Sequence, residues 1–315
     1  MLALDPGGLN SVACDLCGSN RTRPVIIRPD GLRVVECLEC ALCYLNSKPT
    51  PDLVQSLYDG KYFSKNLKIT EEALHYGYND YLGEANKKLL AKAAESKLRL
   101  ASPYVDVLGQ SCLEIGCATG EFCELVANKA ANVIGIDLAA EAIASASRRY
   151  SRINFRQGNL SALGEQEQFD IIFAFEVIEH VASPAAFLRG LAVHLKPGGR
   201  LVITTPNYNC GKRVGPHRWS GFQSSLEHLY FFNSQSLSHY ASKVGLIPIA
   251  SLTGCGDGIQ SAVKSDSKAP LRNALRRLGV LNLVRRYRPV VFPTDTESYS
   301  KQDDLHNLFM VLAKA

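Results

Sequence analysis

The chain has 315 residues, 46% hydrophobic and 21% charged, the balance of a globular protein with a sizeable core and enough length for attachments to it. Its net charge of +5 is mild: it permits an anionic substrate or surface and does not call for nucleic acid. No apolar run approaches the roughly 18 residues of a membrane-crossing helix, and Met1 to Asn10 lacks the pattern of a secretory leader, so a cytoplasmic setting is expected.

Four of the ten cysteines open the chain as Cys14-x-x-Cys17 and Cys37-x-x-Cys40. Each turn can present two thiolates to one side, and a small hairpin over 23–35 would bring the pairs around one tetrahedral ion. Four sulfur ligands leave no open position, so structural Zn2+ is expected; iron, and a disulfide or redox role, are the alternatives. Cys43, among Leu42, Tyr44 and Leu45, reads as a small hydrophobe under this ribbon. Cys112, Cys117, Cys123, Cys210 and Cys255 lack ligand spacing and read as buried small residues. Arg21, Arg23, Arg28 and Arg33 are partly offset by acidic neighbours, which argues against an RNA-binding face.

Pro49 and Pro51 mark a linker, a helical stretch begins at Leu53, and Tyr58, Tyr62, Phe63, Tyr76, Tyr78 and Tyr81 crowd the segment that follows. Residues 84–108 read as one amphipathic helix, with Leu89, Leu90, Ala93, Leu98 and Leu100 on its apolar side, lysines opposite, and an edge of a sheet to cover. An apolar strand through Leu113, Glu114 and Ile115 then enters Gly116-Cys117-Ala118-Thr119-Gly120, and after a helix-length interval Val133 to Ile136 ends at Asp137. This is a βαβ unit for a cofactor with a ribose. Gly116 and Gly120 allow a sharp turn and close approach of a ligand, and Asp137 can accept both ribose hydroxyl protons. The spacing is not that of the dinucleotide fingerprint and leaves no cradle for a pyrophosphate.

A third strand spans 153–160, and Phe169 to Phe175 is a central strand buried on both faces that leads into Glu176-Val177-Ile178-Glu179-His180. A helix from Pro184 to Leu195 should stop at Lys196-Pro197-Gly198-Gly199, before a fifth strand from Leu201 to Asn207. Residues 208–233 break the alternation and carry His217, Trp219, Glu227 and His228; an insertion there lies over the ligand end of an open α/β sheet. Ser234 is the expected cap of a helix that runs to Val244 and ends at Gly245. Ile247–Leu252 and Leu308–Leu312 are the last two strands.

In order, these elements resemble the class I S-adenosylmethionine-dependent methyltransferases of the small-molecule branch, including ubiquinone O-methyltransferases with their Glu-Val-Ile-Glu-His run and Lys-Pro-Gly-Gly turn. The resemblance covers 110–253 and the last strand, with Ala118 where the family often has a glycine. It implies an α/β, Rossmann-like seven-stranded sheet with its last strand antiparallel. It also implies three parts: the ribbon at 1–49, a helical lid or linker region at 50–108, and a core at 109–315 with insertions at 208–233 and 254–304. S-adenosylmethionine would then be held at Asp137 and Asn159, with its methionyl tail over Glu114, Gly116 and Cys117, the turn at Gly120, and Glu176 nearby. The segment 14–49 further resembles the zinc module of some sugar methyltransferases in this family.

A hydroxyl acceptor needs a group to take its proton, and histidine suits neutral pH. His228, which follows Glu227, and His180, beside Glu179, lead; His217 is less favoured. No Asn/Asp-Pro-Pro-aromatic motif follows the fourth strand and no nucleophilic cysteine follows strand four or five, which argues against nucleic-acid base methylation. O-methylation of a sugar, glycolipid or related small molecule is the favoured activity. Quinone or phenol O-methylation, sugar C-methylation, and an RNA- or protein-directed cofactor-binding role are the alternatives. The arginines of 271–288 suit a docked helix, a dimer contact or an anionic membrane surface.

Overall fold

The computed structural model describes residues 9–49, 67–68, 75–76, 84–223, 227–254, 299–300 and 307–315. The helical start at Leu53, most of the aromatic segment 58–81, Cys255 and the arginines of 271–288 lie outside the described residues.

The amino-terminal strands are β1 (Leu9–Ser11), β2 (Thr22–Ile27), β3 (Arg33–Cys37), β4 (Cys43–Leu45) and β5 (Ser47–Pro49), with β2 and β3 forming the expected hairpin. The two-residue strands β6 (Leu67–Lys68) and β7 (His75–Tyr76) pair with each other. Then come α1 (Glu84–Ala101), β8 (Ser111–Ile115), α2 (Glu121–Ala127), β9 (Asn132–Asp137), α3 (Ala140–Arg149), β10 (Asn154–Gln157), β11 (Phe169–Phe175), α4 (Pro184–His194) and β12 (Leu195–Pro206). The remainder is α5 (Tyr208–Val214), α6 (Ser220–Gln223), β13 (Tyr230–Phe231), α7 (Ser234–Lys243), β14 (Leu246–Gly254), β15 (Tyr299–Ser300) and β16 (Asn307–Lys314).

The main sheet runs β10-β9-β8-β11-β12-β16-β14, with β15 as a short addition beyond β14. Its first five strands are parallel and β16 lies antiparallel between β12 and β14. The order reverses between β8 and β11, so the crevice outside their carboxyl ends is the ligand end of the sheet. Ile172, Phe173 and Ala174 of β11 are all but fully buried, as the continuous apolar run requires of a strand covered on both faces.

Several boundaries differ from expectation, each for a local reason. Helix α1 ends at Ala101, two residues before Pro103, which has no N–H to continue the ladder; Ser102 N still donates to Leu98 O at 2.8 Å. Rather than covering a sheet edge, it packs on α2 and lines the crevice. β12 begins at Leu195, so Lys-Pro-Gly-Gly lies within the strand, and a register shift between Phe169 and Ile171 of β11 accommodates it. β10 stops at Gln157, and Asn159 caps a 3-10 turn, Leu160–Ala162. Asn233, not Ser234, caps α7: its side chain accepts from Ser236 N at 2.9 Å while Ser236 Oγ accepts from Asn233 N at 3.1 Å. The Ser234 hydroxyl is instead 2.7 Å from Ser251 Oγ.

A second sheet, ordered β13-β4-β3-β2, holds the ribbon. Its edge strand comes from the far side of the sequence: Tyr230 pairs with Tyr44 and Phe231 with Cys43. One continuous apolar core joins Cys43, Tyr44 and Leu45 to Trp219, Phe222 and Phe231. None of the described helices is long and apolar enough to cross a membrane.

Candidate functional site

The cofactor end is built on the turn after β8. Gly116 has φ 76°, and a Cβ there would lie 2.5 Å from Val177 Cγ2, so glycine is required both for backbone conformation and for space. Ala118 takes φ 46° without glycine's freedom. The turn closes because Gly116 N and Cys117 N donate to Ile136 O at 2.8 and 3.1 Å. Asp137 locks it from the next strand, its two carboxylate oxygens accepting from Ala118 N and Ala139 N, each at 2.9 Å. Burial raises the Asp137 carboxyl above its ordinary value, and those amides oppose the rise.

The cleft under this turn is lined by Glu114, Gly116, Cys117, Glu121 and Phe122 on one side. Leu90, Ala93, Ala94 and Lys97 of α1 form the other. Lys97 is a site residue that sequence reading passed over, although its register with Leu90, Ala93 and Ala94 puts a cation on the apolar stripe of the helix. Burial lowers its pKa against the pull of Glu114, Glu176 and Glu121. Glu114 is 4% exposed and burial pushes its carboxyl up to about 7, opposed by Lys97 and by the Cys123 thiol, which donates to Oε2 at 3.0 Å. A carboxyl and an ammonium side by side beneath a glycine turn suit the zwitterionic end of an amino-acid cofactor, and Asp137 suits its ribose; the residues fit S-adenosylmethionine. Asn159 is exposed and its Oδ1 accepts from Ser161 N at 2.8 Å.

The second cluster follows β11. Glu176 takes φ 55°, a backbone strain of the kind that concentrates at functional sites. Glu179, fully buried, accepts from Thr205 Oγ1 at 3.0 Å through Oε2. Its Oε1 lies 3.8 Å from His180 Nε2 and 3.9 Å from His228 Nε2. The two imidazoles meet edge to face with centroids 4.8 Å apart. Burial pushes Glu179 well above the usual carboxylate range, reinforced by the charges of Glu176 and Glu227. Burial also lowers His180, to about 4, so that its ring is neutral at pH 7. The cluster offers a proton acceptor, and its three ligand atoms, all within 4.8 Å of one another, are also a donor set for a cation. Glu176 acts electrostatically on both Lys97 and Glu179, which ties the two clusters together at the end of β11. Glu227 contacts His180 through its backbone, His217 is exposed, and Trp219 belongs to the core.

The four ribbon cysteines converge, with Sγ atoms within 4.8 Å of one another. Cys14 and Cys40 sulfurs are 3.4 Å apart and those of Cys17 and Cys37 3.5 Å, close to the roughly 3.8 Å edge of a zinc tetrathiolate and far beyond a disulfide bond. Both knuckles close alike: Gly18 N donates to Cys14 O at 2.7 Å and Ala41 N to Cys37 O at 3.0 Å. Both closing residues have left-handed backbone. This donor set fits zinc.

A family model described as a methyltransferase domain matches residues 79–250, more than half of the chain. The ubiquinone biosynthesis O-methyltransferase of Bradyrhizobium sp. (strain ORS 278) is 39% identical over 105 residues, 32% of this chain and 42% of that protein. The protein of the same name from Rhodopseudomonas palustris (strain HaA2) is 34% identical over 146 residues, 39% of this chain and 58% of that one. The chain thus covers less than two thirds of either relative. An S-adenosylmethionine-dependent methyltransferase from Thermotoga maritima has the same fold, with a TM-score of 0.50 and 15% identity over 75% of this chain and 96% of that one. The sheet order, the turn locked by Asp137 and the family match agree, and the chain belongs to the class I S-adenosylmethionine-dependent methyltransferases.

Proposed function

We propose that this enzyme methylates a hydroxyl of a small molecule, with a sugar or glycolipid intermediate as the acceptor class. The observation that carries the reading is the Glu179–His180–His228 cluster beside the cofactor cleft. S-adenosylmethionine supplies an activated methyl group when bound. The chain's part is to align the acceptor oxygen and remove its proton. An imidazole of His228 or His180 takes the hydroxyl proton as the oxygen–carbon bond forms and the carbon–sulfur bond breaks, leaving S-adenosylhomocysteine and the methyl ether. Burial keeps the His180 ring neutral at pH 7, and the Glu179 carboxyl faces both rings, 3.8 Å from His180 Nε2 and 3.9 Å from His228 Nε2. Zinc in the four-cysteine centre is structural in this reading.

A phenolic hydroxyl of a quinone precursor is the second reading, favoured by the names of the relatives above. Labelled methyl transfer from S-adenosylmethionine to nucleotide sugars, glycolipid extract and a polyprenyl catechol decides between them. Label in the sugar or lipid material, strongly reduced in His228→Asn, supports the first reading. Label only in the catechol selects the second, and label confined to RNA or protein overturns both.

A further inference from the structure

We propose that Arg28 is a positioning residue for His228, through which the cysteine ribbon holds one wall of the acceptor site. The Arg28 side chain is completely buried, a costly place for a guanidinium unless its donors are matched. They are matched on two sides. Nε and Nη2 fork onto the two oxygens of Asp30, while Nη1 donates to the carbonyl oxygen of His228 at 2.8 Å, 200 residues away. The next peptide is held as well, Leu45 N donating to Leu229 O at 2.9 Å. β13 then continues as the edge strand of the ribbon sheet.

From the opposite side, Leu229 N and Tyr230 N both donate to Glu179 O, at 2.8 and 3.2 Å. The backbone at His228 is therefore clamped between the ribbon and the residue whose carboxylate faces both imidazoles. The ribbon in turn is fixed to the core near its first knuckle. Asp15 accepts from Ser183 Oγ at 2.7 Å and from Ala185 N at 3.0 Å at the start of α4, and Lys243 of α7 donates to Leu16 O. Loss of the Arg28 fork removes a donor from His228 O and strands Asp30 without its cation, and the cofactor cleft contacts neither group. The effect is local to the acceptor end.

The functional meaning rests on the reading of His228 as an acceptor-site group; the positional claim is tested without the acceptor. Nitrogen-labelled histidine NMR of the full chain, with the His228 signal assigned through His228→Asn, is compared between the native protein, Arg28→Lys and Arg28→Met. Amide exchange at Leu229 and Tyr230 and calorimetric affinity for S-adenosylhomocysteine are measured alongside. Arg28→Met is expected to shift the His228 ring signals and to speed exchange at both amides about tenfold, the effect of one lost hydrogen bond. Affinity should stay within about threefold, since the cofactor cleft keeps every contact. Arg28→Lys, which retains one donor, should fall between. Where Arg28→Met fails to fold, Asp30→Asn loosens the fork and should move the same signals less far. Unchanged His228 signals and exchange in the folded variants overturn the proposal, as does a loss of affinity in step with the shift. Full methyl transfer by His228→Asn would instead remove the functional reading and leave the positional result standing.

Discussion

The cofactor cleft is assembled from neighbours in the chain: α1, the turn after β8 and Asp137 follow one another within a single βαβ unit and the helix before it. The cluster proposed to meet the acceptor draws Glu179 and His180 from the end of β11 and His228 from the insertion, whose carbonyl receives Arg28 from the ribbon. Short-range construction lets the cleft stand on a few backbone hydrogen bonds, whereas the acceptor wall depends on two sheets keeping register with each other. The cofactor end should therefore survive changes that dismantle the acceptor end.

Metal removal gives the largest expected break between the two. Structural zinc in small domains carries roughly 10 kcal/mol or more of folding energy. Each native chain should hold one zinc by elemental analysis. Chelation should release it with loss of ribbon amide protection, while affinity for S-adenosylhomocysteine changes by less than about fivefold. A collapse of both together would show that the ends are one cooperative unit.

Asp137→Ala is the converse break. It removes an acceptor from two backbone amides and the carboxylate expected to meet the cofactor ribose. At about 1.5 kcal/mol or more for each charge-assisted bond, affinity for S-adenosylhomocysteine should fall roughly a hundredfold by calorimetry. Ribbon protection should be unaffected. Gly116→Ala sharpens the point more gently: the left-handed backbone and the 2.5 Å approach to Val177 predict a loss of about 1–3 kcal/mol in denaturant unfolding.

The smallest effect separates the ends by the sign of their pH dependence. Glu114, raised to about 7, binds its proton more tightly in the folded protein; its stabilisation is present at low pH and lost as pH rises through 7. His180, lowered to about 4, is stabilising above its ordinary value near 6.5 and loses that as pH falls toward 4. Relative to the native protein, Glu114→Gln should thus gain about 1 kcal/mol between pH 6 and pH 8 in unfolding titrations. No relative change between pH 6 and pH 8 would place the Glu114 carboxylate in its charged state throughout.

The same contrast explains what could be read from the residues alone. Gly116, Gly120, Asp137 and the Glu176–His180 run announce themselves because turn chemistry and strand ends are local: Gly116 lines the cleft, Asp137 holds its turn, and the run follows β11. Pairing between β4 and β13 leaves no periodic trace in either strand, so the ribbon looked like an appendage. Arg28 reads in sequence only as one of four arginines with acidic neighbours; local pattern does not tell that it is buried with Asp30 and donates to the carbonyl of His228. Lys97 was legible in principle, as the one ammonium among Leu90, Ala93 and Ala94, had its face been counted by helical register. The cap at Asn233 was missed by one residue because Ser234 is an equally good cap by type, and only its bond to Ser251 reveals another use.

The pairing of β13 with β4 also sets a timetable for synthesis. The ribbon leaves the ribosome ahead of the core, yet the strand and the carbonyl that complete its sheet and receive Arg28 are made some 200 residues later. At 5–20 residues per second that is a delay of roughly 10–40 s, during which the edge of β4 is open and Arg28 lacks its distant acceptor. The newborn segment carries that open strand edge until β13 arrives and closes over it.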